Sequence, residues 1–123
     1  MTQLNLKTMT VEQLVNRFAD IGVAQDAALL ENDVAKYNRL YDQMEAVEHE
    51  LKSRAGDQRQ ALLPLYGHQN VQVRLASAKA TLAIAPKAAR GALRAIKESK
   101  AQPQALDAGM SLRNLDRGIY RPT

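Results

Sequence analysis

The 123-residue chain contains no cysteine and no tryptophan, and only one phenylalanine beside four tyrosines. Without cysteine there can be no disulfide staple, no thiolate metal site and no cysteine nucleophile. With so few aromatics, the stacking platforms on which single-stranded nucleic-acid binders seat successive bases are scarce. No stretch approaches the roughly 20 consecutive apolar residues of a membrane span. The opening "MTQLNLKTMT" has neither a basic n-region nor an apolar h-region, so a soluble, unprocessed and cytoplasmic protein with no membrane partner is expected. Sustained apolar/polar alternation of the strand type is also missing. The six glycines and four prolines fall mostly where a helix would begin or stop.

Acidic residues are nearly absent from the second half. Residues 1–68 carry seven basic and ten acidic side chains, a balance of −3; residues 69–123 carry ten basic and three acidic, a balance of +7. Between Gln58 and Leu106 the sole acid is Glu98. The chain is therefore electrically polarised along its length.

The positive signal is helical periodicity in a single domain, with residues 1–9 expected to be a disordered lead-in. Thr10 with Gln13 forms a capping-box pattern that opens a helix over 11–30, with Leu14, Phe18, Ile21 and Ala28 on its apolar face. Asn32 or Asp33 caps a second helix in which Val34, Tyr37, Leu40, Tyr41, Met44, Val47 and Leu51 recur at three- and four-residue spacing. It should end near 53–56, and Glu48 with Lys52 and Glu50 with Arg54 fall at the favourable i,i+4 spacing on its outer face. Asp57 with Gln60 repeats the capping logic for a short third helix. There Pro64 removes one backbone donor and Gly67 is expected to supply a left-handed stop. Pro86 opens a fifth helix to about Ser99, and a last one spans about 103–117 with Gly118 as its stop.

The fourth helix, within "HQNVQVRLASAKATLAIAP" at 68–86, carries two apolar sides. At about 100° per residue Val73, Ala76, Ser77, Ala80 and Ile84 fall together, while Leu75, Ala78 and Leu82 fall opposite. Arg74 and Lys79 lie in the seams between. A helix apolar front and back is packed on both sides. Because each small-residue face buries too little to hold one hairpin, stacked hairpins are expected. The fold class is accordingly all-α: a right-handed α-α superhelix of stacked antiparallel helix pairs, about six helices in all.

The segment 57–97, "ALLPLYGHQNVQVRLASAKATLAIAPKAARGALRAI" at its heart, resembles a HEAT-like repeat, with Pro64, Gly67, Val73, Arg74, Ala76, Ala80 and Pro86 as its structural motif. The Val73–Arg74 pair and the alanines after it carry most of the likeness. The whole chain, including its closing "QALDAGMSLRNLDRGIYRP", resembles a bacterial HEAT-like family catalogued as a domain of unknown function. The resemblance implies a compact helical module and no assigned activity.

Signals for chemistry are sparse. His49 and His68 have no second histidine at metal-ligand spacing and read as exposed or capping side chains. No nucleophile elbow, P-loop or dinucleotide fingerprint occurs. No catalytic, metal or cofactor site is assigned, and a cofactor is not expected; an enzyme assembled from scattered residues stays the weakest alternative. Tyr37, Tyr41 and Glu45 share one helix side, readable either as a site for a base or cation or as core aromatics with surface hydroxyls. Arg74 is expected to lay its stem over apolar surface while its guanidinium reaches a carboxylate or a helix C-terminus.

The strongest surface feature is Lys87, Arg90, Arg94 and Lys97, which three- and four-residue spacing places on one side of the fifth helix, with Lys100 and Lys79 nearby. Two partners suit such a stripe. One is an acidic protein surface held by a non-catalytic adaptor or immunity-type module; the other is a nucleic acid gripped through its phosphates. Homo-oligomerisation is left open by the sequence.

Overall fold

The structure is a computed structural model that describes residues 5–123. The expected lead-in divides there: residues 1–4 lie outside the described part, whereas Leu6–Thr8 forms a single 3-10 turn. That turn is tied down by Arg54, whose guanidinium donates to the Leu6 carbonyl at 3.0 Å and the Lys7 carbonyl at 3.4 Å. Residues 5–9 of the expected lead-in thus hold a capped turn.

Beyond this turn the chain forms five α-helices: α1 (Val11–Leu30), α2 (Val34–Ser53), α3 (Val71–Ala80), α4 (Pro86–Ser99) and α5 (Gln104–Asp116). A 3-10 helix, Gln58–Gly67, links α2 to α3. These six helices and the opening turn make the described chain all-helical. It divides into two compact units, Met1–Ala61 and Leu62–Thr123.

In the first unit α1 and α2 pack as a hairpin. The Thr10 hydroxyl accepts from the Gln13 N–H at 3.0 Å while the Gln13 side chain accepts from the Thr10 N–H at 2.8 Å, the reciprocal box that the sequence predicts. Leu14, Phe18, Ile21 and Ala28 are buried as expected, joined by Met44, Val47 and Leu51 of α2. Asp33, not Asn32, caps α2 by accepting from the Lys36 N–H at 3.1 Å; Asn32 instead turns the chain at a left-handed φ of 55°. The first two turns of α2 depart from the predicted core, because Val34 and Tyr41 are exposed and Tyr37 and Leu40 only partly buried. Of the two predicted i,i+4 pairs, Glu50–Arg54 forms at 2.9 Å and Glu48–Lys52 does not. Glu48 is half-buried, and the Arg59 charge acts on it more strongly than that of Lys52.

The exit from α2 uses two consecutive left-handed residues, Gly56 at φ 76° and Asp57 at φ 50°. Asp57 does cap the 3-10 helix, but through Arg59 and not Gln60. Its carboxylate accepts from the Arg59 N–H at 3.2 Å and is forked by the Arg59 guanidinium, the shortest contact being 2.7 Å.

In the second unit α3 packs on α4, and α4 on α5. The shared core is Leu75, Ala78 and Leu82 against Ala89, Leu93 and Ile96 of α4 and Ala108 of α5. The opposite side of α3 is buried as well: Val73 and Ser77 have no exposed surface and Ala80 only 4%, with Ala76 partly covered. Two-sided burial of this helix is thus observed. It tolerates polar side chains because they are satisfied within the helix. The Ser77 hydroxyl donates to the Arg74 carbonyl at 3.0 Å, and the Thr81 hydroxyl to the Ser77 carbonyl at 2.9 Å.

Three boundaries differ from expectation. The α3 helix starts at Val71 under an Asn70 cap that accepts from the Gln72 and Val73 N–H groups. It ends at Ala80, so Leu82 and Ile84 lie in the turn after it; Thr81, held by its own hydroxyl and by Tyr66, closes the helix early. Gly67 is not left-handed: it ends the 3-10 helix with open space around it, and the reversal is made by the turn His68–Asn70. Gly118 does adopt φ 69°, and the N–H groups of Ile119 and Tyr120 return to the Asn114 carbonyl.

Substitutions in α3 and at the two glycines check these placements. Ala78→Leu and Ala80→Leu, on opposite sides of α3, should each overpack and cost on the order of 1–3 kcal/mol by urea denaturation. Gly67→Ala should be neutral or stabilising by up to about 1 kcal/mol, since no atom and no backbone constraint opposes the methyl, whereas Gly118→Ala should destabilise.

Candidate functional site

The α4 helix owes its amphipathicity to a strict division. Pro86 occupies the first turn, where its missing N–H leaves no orphan. Ala89, Leu93 and Ile96 then recur at three- and four-residue spacing and are buried. The basic residues take the side away from them, and the structure sorts these into two groups.

Arg90 and Lys97 lean toward α5. The Arg90 guanidinium pairs with Asp116 at 2.8 Å, and the Lys97 stem lies over Gly109, where an added Cβ would meet its Cδ at 3.7 Å. The Lys97 stem thus packs along α5 at the distance of an ordinary van der Waals contact with a methyl there. Lys79 is likewise engaged, 3.1 Å from Asp107, which also accepts from the Ser111 hydroxyl. Lys87 and Arg94 are exposed and form no ion pair among the described residues; Lys97 keeps its ammonium exposed, and Lys100 turns the chain at φ 61°. The predicted stripe is therefore one helix side with Arg90 withdrawn into a structural pair. Spacing alone could not show this, because Asp116 is 26 residues away in sequence.

The remaining predicted residues serve turns and surfaces. Arg74 reaches the carbonyls of His68 at 2.7 Å and Gln69 at 3.1 Å. This corrects the expected carboxylate or helix C-terminus: it braces the turn before its own helix. His68 accepts from the Asn70 N–H through Nδ1 at 3.0 Å, a capping role, and His49 is exposed. Tyr41 is half exposed and Glu45 exposed, so the core-aromatic reading fails for Tyr41. Among the described residues no group of three or more His, Asp and Glu side chains is placed to hold a metal ion, and no helix is long and apolar enough to cross a membrane.

Sequence reasoning missed the Asp57–Arg59–Glu48 cluster in the first unit. Arg59 is buried, and its hydrogen bonds hold the Asp57 carboxyl below its ordinary range. Burial pushes the Glu48 carboxyl the other way, above its ordinary range, opposed by the Arg59 charge and reinforced by Glu45. A basic residue two after an aspartate that succeeds glycine was the available signal.

A family model described as "Domain of unknown function (DUF2019)" matches residues 12–116. Among solved structures, the protein RPA1889 from Rhodopseudomonas palustris CGA009 is 51% identical, with a TM-score of 0.95 over 98% of this chain and all of that one. No curated protein matches. The chain belongs to the DUF2019 family.

The two carboxyls give opposite pH signatures. Asp57→Asn keeps a side chain that tolerates the left-handed backbone while removing the charge beside a buried cation, and should cost about 1–3 kcal/mol at neutral pH. Because the folded-state Asp57 value is lowered, that stabilisation is present above the ordinary aspartate range and lost as pH falls through the lowered value. For Glu48 the folded value is raised, so Glu48→Gln should gain on the parent as pH rises through it. Denaturant midpoints across acidic to neutral pH check both slopes.

Proposed function

We propose that this member of the DUF2019 family is a non-catalytic, HEAT-like protein-interaction module of the bacterial cytoplasm, holding an acidic protein surface against the outer side of α4 as an adaptor or immunity-type binder does. The observation that carries this reading is the uncompensated exposure of Lys87 and Arg94, with the Lys97 ammonium beside them. An ordinary solvated face mixes signs, whereas α4 has Glu98 as its one acid. Ala88 and Ala95 are exposed along the flank of this stripe, so a partner backbone can approach the helix closely beside the long cations. Charges so placed steer encounter and select the partner's sign; they contribute less to affinity than a buried centre does.

A grip on nucleic-acid phosphates would use the same cations. Against it, no aromatic residue occurs in α4, and Arg90, the middle cation, is already committed to Asp116. The two readings separate by salt dependence, since released counterions make phosphate binding fall steeply with ionic strength.

Lys87→Glu combined with Arg94→Glu leaves the Arg90–Asp116 pair intact and touches exposed positions, so the fold should change by no more than about 0.5 kcal/mol per site. Capture of acidic proteins from lysate of the source bacterium should be lost. A folded double variant that still captures every partner of the parent would remove α4 as the binding side. Salt-sensitive binding of the parent to random duplex DNA, abolished in the variant, would favour the phosphate reading.

A further inference from the structure

Two other helix sides are exposed and chemically matched. On α5, Leu106 and Met110 are 63% and 49% exposed, and Arg113 and Arg117 continue the same side. In solenoid proteins the outer face of a terminal helix is ordinarily polar, because it has no neighbour; this one is apolar at its start and basic at its end. On α2, Val34 and Tyr41 are 68% and 51% exposed, and the exposed Glu45 and the half-buried Glu48 continue that side. It is apolar at its start and acidic at its end. None of Glu45, Glu48, Arg113 and Arg117 forms an ion pair among the described residues.

The register matches as well as the sign. At about 1.5 Å per residue, Arg117 lies roughly 10.5 Å beyond Met110 along α5, and Glu48 the same distance beyond Tyr41 along α2. Arg113 and Glu45 are three and four residues beyond those same anchors. Laid side by side in the same direction, the two helices set Met110 on Tyr41, Arg113 on Glu45 and Arg117 on Glu48. Leu106 then falls between Val34 and Tyr41.

We propose that the α5 side of one copy of this chain docks on the α2 side of a second copy, giving a head-to-tail self-association. A second copy is the occupant the charges select, since both halves of the complementary pair are present on every molecule. Laid in the same direction, like faces repel: α5 against α5 would oppose arginines and α2 against α2 would oppose glutamates, so this register selects the unlike pair. The contact is heterologous: a pair joined through one contact still carries one free α2 side and one free α5 side, to which further copies can add. A single helix pair buries less than the roughly 1,200 Å² of a standard stable interface, so the association is weak, concentration-dependent and salt-sensitive.

The test is sedimentation velocity of the full chain and of two exposed-surface variants, Tyr41→Asp and Met110→Asp, from micromolar to millimolar concentration at low salt. The parent should rise in weight-average mass past twice the 13.6 kDa of the chain. Each variant alone should stay monomeric, having lost one of its two faces. Mixed in equal amounts they should form a one-to-one dimer and nothing larger, because each supplies the face the other lacks. Circular dichroism checks folding, and Glu45→Arg with Arg113→Glu provides a second complementary pair that leaves the apolar residues untouched. A parent that stays monomeric throughout overturns the proposal, and so does a mixture that behaves as the sum of its monomeric parts.

Discussion

The small side chains of α3 are the constraint on which the rest of the second unit depends. Ser77 and Ala78 have no exposed surface and Ala80 almost none, yet they lie on different sides of one ten-residue helix. A helix this short has little intrinsic stability, so its formation rests on being covered. Coverage on more than one side requires short side chains, and two of its buried polar groups, Ser77 and Thr81, turn their hydroxyls back onto helix carbonyls so that burial leaves nothing unpaired. The Thr81 hydroxyl also ends the helix, which places Leu82 in the core from a turn and delivers the chain to Pro86 and the start of α4.

That placement sets the character of α4. Its inner residues are fixed by the core shared with Leu75 and Ala78, and its cations are forced to the other side. The neighbouring α5 then takes up one of those charges, through Asp116 on Arg90, while Gly109 lies beside the Lys97 stem. Lys87, Arg94 and Lys97 are the cations left exposed on α4. Polarisation of the chain into an acidic first part and a basic second part is thus expressed as particular unpaired side chains and not as a diffuse field.

Much of this was legible in the sequence because local rules decide it. The Thr10–Gln13 box, the limits of α1 and α4, the stop at Gly118 and the two apolar sides of α3 all depend on residues within one or two turns of each other. The features hidden from the sequence depend on contacts over longer spans or on crowded turns. Arg90 reads as a free cation until α5 brings Asp116 to it, and Tyr41 reads as core until the first turns of α2 are found uncovered. Gly67 shows the other kind of miss. Glycine after a proline-containing helix suggests a left-handed stop, but here the His68 N–H closes the 3-10 helix on the Leu65 carbonyl, and His68 and Asn70 make the reversal. In the candidate site, all four predicted cations lie on one helix, and three of them keep their charge toward solvent.

Native-state hydrogen exchange at the amides of α3 tests the central role of this helix most directly. If two-sided burial holds it, the amides of Leu75 to Ala80 should exchange only through unfolding of the whole second unit, with protection that falls with denaturant as steeply as global stability does. The exposed first turns of α2 should exchange through local fraying at far lower cost. Amides of α3 that exchange as readily as those early turns, with little denaturant dependence, would contradict the account.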